Sequence, residues 1–156
     1  MNKSNFQHIF ISYSRANAET MTQVVTFFRK KGLTAWVDNE KLEPGTPVWE
    51  MEIEKAIKIS GAVVVLLSPD ANSSVWVRRE LSYAERYNKR VFPLLIAGDE
   101  DTSIMLRLAT NQYVDIRNQE EKENSLNSLS TTLGFYLEDL WLFDILRGSS
   151  IYGGIV

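Results

Sequence analysis

Ala62-Val63-Val64-Val65-Leu66-Leu67-Ser68-Pro69 is the stretch on which the fold of this chain turns. Six apolar residues without polar alternation suit a parallel strand covered on both faces, because each side of the pleat must meet a hydrophobic layer. Pro69 stops the ladder, since it donates no backbone N–H. Ser68 then stands at the carboxyl end of the strand, where open α/β sheets bind ligands. The segment that follows, Trp76-Val77-Arg78-Arg79-Glu80, reads as a helix carrying a candidate functional carboxylate.

Upstream, His8 to Tyr13 is a first short apolar strand, and Met21, Val24, Val25 and Phe28 recur at helical spacing after it. Gly32 fits the left-handed stop of that helix, directly behind Lys30 and Lys31. Leu33 to Val37 is a second strand, and Asp38 to Gly45 is a polar loop in which Pro44-Gly45 suits a type II turn. Thr46 caps a second helix with Pro47 in its first turn, and Trp49, Ile53, Ala56 and Ile57 form its apolar stripe. Downstream, Val91 to Ile96 is a fourth strand, in which Pro93 argues against full pairing on both sides. A short helix around Ile104 to Leu108, a weak strand at Gln112 to Ile116 and a last helix with Leu126, Leu129, Leu133, Leu137 and Leu140 complete the pattern.

Five strands alternating with five helices imply right-handed crossovers and a parallel sheet. The expected fold is α/β, a flavodoxin-like five-stranded parallel sheet of order 2-1-3-4-5 with helices on both faces, and a cleft between the first and third strands. One domain is expected over residues 1–140. Residues 141–156, where Gly148-Ser149-Ser150 interrupts the helical pattern, are expected to be a tail or a linker to a missing domain.

With 156 residues, 44% of them hydrophobic, the chain can bury a core of its own. There is no cysteine, which excludes disulfides, thiolate nucleophiles and cysteine-ligated zinc, and fits a reducing, cytoplasmic setting. A net charge of −3 with scattered Lys and Arg lacks the basic stripe of a nucleic-acid binder. No apolar run approaches the ~18 residues of a membrane span. Gly-x-Gly-x-x-Gly and phosphate-loop motifs are missing, and the single histidine, His8, opens a strand and reads as structural. A phosphorelay receiver would need an acidic pair after the first strand and an aspartate ending the third; Ser12, Tyr13 and Ser68 stand there instead.

At about 100° per helical residue, Trp76, Glu80, Tyr83 and Tyr87 share a stripe, while Val77, Leu81 and Ala84 lie roughly 80° further round. The aliphatic stripe faces the sheet, so Glu80 is expected at the boundary of the core beside aromatic rings, where desolvation raises its pKa. The plainer alternative is a surface carboxylate near Arg78, Arg79 and Arg86.

Four signatures now stand in order: Phe10-Ile11-Ser12-Tyr13, Leu42-Glu43-Pro44-Gly45, Leu67-Ser68-Pro69 and Trp76-x-x-x-Glu80. Together they resemble the Toll/interleukin receptor (TIR) domain family over about residues 7 to 140, and look closest to its bacterial, NAD-consuming branch. The resemblance implies an NAD+ glycohydrolase or cyclase, with NAD+ as substrate and no cofactor or metal. It matches Glu80 to the catalytic glutamate and Trp76 to the tryptophan beside it. Arg15, with Tyr13, is the matching candidate for substrate binding after the first strand. Leu42 and Gly45 fall in the loop that lies over or beside the site, and the Asp38–Gly45 loop matches the segment used for self-association into homo-oligomers.

Ser14 stands where many members have a basic residue, and the aromatic position near the loop falls at Pro47 or at Trp49, depending on whether Gly45 or the following helix is aligned. The resemblance further implies a role in bacterial anti-phage defence, with a fused or separate sensor domain. The alternative is a non-enzymatic adaptor that recruits other TIR domains through the same loop.

Overall fold

A computed structural model of the chain describes residues 8–38 and 46–153, with side chains as far as 147. Five parallel strands, β1 (His8–Ser12), β2 (Thr34–Trp36), β3 (Ala62–Leu67), β4 (Val91–Leu95) and β5 (Val114–Asp115), lie in the order β2-β1-β3-β4-β5. Six helices surround them: α1 (Ala18–Lys30), α2 (Pro47–Ile59), α3 (Pro69–Ser73), α4 (Val75–Arg86), α5 (Glu100–Ser103) and α6 (Lys122–Gly153). The expected sheet order is therefore the observed one.

β3 is central and every one of its residues is buried, as its unbroken apolar run requires. Its alternate residues serve two layers. Val64 and Leu66 join Ile9, Ile11 and Leu94 under Val24, Val25 and Phe28 of α1 and Leu126, Leu129 and Leu133 of α6. On the opposite face, Val63 and Phe10 pack against Trp49, Ile53 and Ile57 of α2, while Val65, Leu67 and Leu95 meet Ala71 of α3 and Val77 and Leu81 of α4. Full burial of each large aliphatic or aromatic side chain contributes about 1.5–3 kcal/mol, so these two layers hold the sheet.

Local signals account for most boundaries. Gly32 has φ 83° and closes α1, with Leu33 N–H reaching Phe28 O at 3.0 Å and Gly32 N–H reaching Arg29 O at 3.0 Å. The Thr46 hydroxyl accepts from Trp49 N–H at 3.3 Å with Pro47 in the first turn of α2. Ser68 accepts from Ala71 N–H at 3.0 Å to start α3, and Ser74 accepts from Val77 N–H at 3.3 Å to start α4. His8 donates from Nε2 to Ala56 O at 3.0 Å, tying β1 to α2, and burial pushes its pKa down.

Pro93 sits inside β4 opposite Val65. The bonds from Val63 N–H to Arg90 O and from Ile96 N–H to Leu67 O show that even-numbered residues of β4 face β3. Val91 and Pro93 thus face the other way, to the side where β5 pairs only with Leu94 and Leu95. The missing proline N–H costs no ladder bond.

Two details differ from the sequence reading. The apolar segment 104–108 is not one helix: α5 ends at Ser103, Ile104 and Met105 are extended, and a 3₁₀ turn covers Leu106–Leu108, because Met105 and Leu108 turn inward onto α4. α6 also runs unbroken past Trp141 to Gly153. Propagating a helix already formed adds one hydrogen bond per residue, which offsets the ~1 kcal/mol propensity cost of a glycine.

Candidate active site

The carboxyl ends of β1 and β2 and the amino-terminal turns of α2 and α4 converge on a cavity of about 50 Å³, lined by Tyr13, Arg15, Asp38, Trp49, Ser74, Trp76 and Glu80. β1 delivers Tyr13 and, through the 3₁₀ turn Arg15–Asn17, Arg15. The chain leaving β2 brings Asp38. The Ser74 cap sets the start of α4, so that Trp76 and Glu80, one turn apart, project to the same side.

Glu80 is 7% exposed. Its neighbours on the helix, Val77, Leu81 and Ala84, are the ones that press on the sheet, as the two-stripe pattern anticipates. The carboxyl forms no hydrogen bond or ion pair with any described residue. Burial, and secondarily the nearby Asp38 carboxylate, hold its pKa well above the usual carboxylate range. The three arginines of its helix are engaged elsewhere: Arg78 donates to Asn72 O at 2.7 Å, Arg79 pairs with Glu50 at 3.0 Å, and Arg86 approaches Glu54 at 3.9 Å. The surface-carboxylate alternative therefore does not describe this site.

The walls are fixed by a polar and aromatic relay. Trp49 Nε1–H is shared between both Asp38 oxygens at 3.1 Å each, and Arg15 Nη2 donates to Asp38 Oδ2 at 3.4 Å. The Trp49 and Trp76 rings meet edge to face, centroids 4.4 Å apart at 84°, and the Arg79 guanidinium lies 4.7 Å over the Trp76 ring. Tyr83 lines a smaller void of about 10 Å³ between Trp49, Trp76 and Glu80. Tyr87, expected on the same stripe, lines neither cavity and donates to Glu54 at 2.5 Å.

Of the residues singled out from sequence, Tyr13, Arg15, Trp49, Trp76 and Glu80 come together; Leu42 and Gly45 lie outside the described residues. Aligning the helix rather than Gly45 is what brings an aromatic ring to the site, at Trp49. Asp38 and Ser74 line the cavity without having been singled out for it. The signal for Ser74 was its capping position, and that for Asp38 its place at the head of the polar loop. Ser12 is also informative: its Oγ is buried with no hydrogen-bond partner among the described residues, on the face of β1 that carries Phe10 toward α2 and α4. Among the described residues no group of three His, Cys, Asp or Glu could hold a metal ion.

A cavity of about 50 Å³ holds one or two waters, given that a water's share of the liquid is ≈30 Å³. A nucleotide fragment needs several times that space, so the walls formed by the described residues hold part of one at most.

The sequence profile described as TIR domain matches residues 9–130. No curated protein sequence matches the chain. Among solved structures, the TIR domain of the Toll-related receptor TRR-2 from Hydra magnipapillata is similar with a TM-score of 0.67 and 19% identity, covering 80% of this chain and 96% of that one. The Clostridium botulinum CMP N-glycosidase BcmB is similar with a TM-score of 0.58 and 18% identity, covering 78% of this chain and 98% of that one. The RPS4 and RRS1 TIR domain heterodimer gives a TM-score of 0.59 and 17% identity over 83% of this chain and 96% of that one.

Proposed function

This chain belongs to the TIR domain family, and from that premise we propose that it cleaves the bond between nicotinamide and ribose in NAD+, with Glu80 as the catalytic carboxylate. The observation that carries this reading is the placement of Glu80: 7% exposed, unpaired among the described residues, and facing a cavity walled by Trp49 and Trp76.

Departure of nicotinamide leaves oxocarbenium character on the ribose, and a fixed carboxylate stabilises that charge while holding the sugar hydroxyls. Nicotinamide is a good leaving group as it stands, so no second carboxyl is needed to protonate it. Burial and, secondarily, Asp38 disfavour the Glu80 anion in the absence of a cation. Entry of the cationic pyridinium reverses this, since an opposite charge within a few ångströms favours the ionised form. Trp76 supplies a ring face to the nicotinamide, and Arg15, half exposed beside Asp38, supplies a cation to the phosphates. Attack by water gives ADP-ribose; attack by an atom of the same molecule gives a cyclic product.

Activity depends on self-association through the Asp38–Gly45 loop. Asp38, which heads that loop, is the group bonded to Trp49, so a neighbour that engages the loop also acts on the Trp49 wall of the cavity. The heterodimer of RPS4 and RRS1 TIR domains supports association between TIR domains, and the CMP N-glycosidase supports N-glycosidic cleavage on this fold. Depletion of NAD+, or a cyclic signal made from it, suits bacterial anti-phage defence in the cytoplasm, with a sensor domain on the same or another chain. No helix among the described residues is long and apolar enough to cross a membrane.

The test is nicotinamide release from NAD+ by purified protein, with and without a crowding agent. Wild type should release nicotinamide, and Glu80→Gln should be slower by about 10²–10³, the usual loss for one transition-state charge stabiliser. No release from wild type in the assembled state overturns the reading and leaves a docking role through the loop.

A further inference from the structure

β3 and β4 are parallel neighbours, so α4, which connects them, runs back against the strand direction. Its two inner lines of residues meet different strands. Val77 and Leu81 join Val65 and Leu67 of β3 and Leu95 of β4, whereas Ala84 joins Phe10 of β1 and its register partner Val63. α4 therefore lies against β1 as well as β3. Glu80 stands one turn before Ala84 on the same line. Ser12 stands two residues beyond Phe10 on the same face of β1. Four helical residues rise ~6 Å and two strand residues ~6.6 Å. Because the two chains run in opposite directions, the step from Ala84 to Glu80 keeps level with the step from Phe10 to Ser12. Register thus sets Glu80 opposite Ser12, in the next layer toward the carboxyl ends of the strands.

Both members of this layer are buried, Ser12 fully and Glu80 to 7% exposed, and neither has a hydrogen-bond partner among the described residues. The polar groups around them are engaged: Asp38 with Trp49 and Arg15, Tyr83 and Arg79 with Glu50, and Ser74 with the start of α4. A hydroxyl held out of water with no partner costs stability that an alanine would not. Glu80 lines the cavity and Ser12 does not, so the hydroxyl acts on a ligand only through the carboxyl. Such a donor stabilises a carboxylate more than the neutral acid, because a bond to a charged acceptor is roughly twice as strong.

We propose that Ser12 is a positioning residue for Glu80: when the carboxyl ionises, the Ser12 hydroxyl donates to one of its oxygens and holds the other toward the cavity. The inference rests on Glu80 being the working carboxylate, and concerns its charged form rather than the identity of the substrate. The bond that Ser12 lacks while Glu80 is neutral is the cost of a donor kept ready for the anion.

The test is a double difference. The melting-temperature gap between wild type and Glu80→Gln, followed from pH 4 to pH 10, widens until the folded carboxyl ionises and then stays level. The same gap is measured between Ser12→Ala and the Ser12→Ala, Glu80→Gln double variant. The charged and titratable groups that face Glu80 are Asp38 after β2, Tyr13 and Arg15 after β1, Glu50 on α2, and Arg79 and Tyr83 on α4; they are common to all four proteins and cancel. Loss of a hydrogen bond to a charged group should move the levelling point upward by about one to two pH units, and Ser12→Thr, which restores a hydroxyl, should move it back. In nicotinamide release at neutral pH, Ser12→Ala should lower kcat by about 10- to 100-fold with KM nearly unchanged, and the loss should shrink as the pH rises. A levelling point that Ser12→Ala leaves in place or moves down overturns the proposal, as does an unchanged kcat. Absence of nicotinamide release from wild type overturns the NAD+ reading instead, and the melting comparison then decides the role of Ser12 by itself.

Discussion

Replacing Glu80 by Gln should spare the protein a loss of stability that the wild type suffers as the pH rises. The wild-type carboxyl is buried, lacks a hydrogen-bond partner among the described residues and faces Asp38, so its folded-state pKa lies well above the unfolded value of 4.5. Below that value both states hold the proton and the wild type carries its full stability. As the pH climbs past 4.5 the unfolded chain ionises first, and stability is lost until the folded carboxyl ionises too. One group changes the free energy of unfolding by at most ~1.4 kcal/mol per pH unit. For a chain of this size that is about 3–5 °C of melting temperature per pH unit. The Gln variant has no such loss. Other titrating groups, including His8, whose pKa burial lowers, and Asp99, Glu100 and Asp115, whose hydrogen bonds lower theirs, are common to both proteins and cancel in the difference. Melting curves of both proteins from pH 4 to pH 9 should therefore separate progressively above pH 4.5 and then run parallel. A constant offset across the whole range would mean that the carboxyl ionises as freely as in the unfolded chain, and the account of the site would fail.

Asp38→Asn removes the like charge beside Glu80, so the break in that difference curve should move to lower pH; an unmoved break would show that Asp38 does not act on the carboxyl. Ser12→Ala should raise stability in urea titrations by about 1 kcal/mol, because it removes a buried hydroxyl that has no partner among the described residues and leaves a methyl group in its place. Gly98→Ala should cost about 1–3 kcal/mol for a left-handed backbone, seen as a lower urea midpoint, and more because a Cβ there would sit 2.7 Å from Pro69 Cδ and Cγ.

The sheet was legible because its central strand is apolar on both faces and its helices keep strict spacing. The stripe of Val77, Leu81 and Ala84 fixed which way α4 faces, and with it the burial of Glu80. What sequence could not show is how loops meet. Asp38 reaches Trp49 across 11 positions and Arg15 across 23, and neither contact leaves a periodic trace. The small size of the cavity was equally hidden, since it depends on how two indole rings pack. Gly148-Ser149-Ser150 misled in the other direction: local propensity argued for a break, and α6 carries through it to Gly153 because an established helix tolerates a few poor formers.

The outermost strands of this sheet are three and two residues long. Backbone stitching between copies needs a longer run of open donors and acceptors than either border offers, and Pro93 withholds one donor beside the shorter of them. Copies of this chain that associate should consequently be held by side chains: such assemblies should dissolve on dilution or added salt and stay dark with thioflavin, rather than ripening into amyloid.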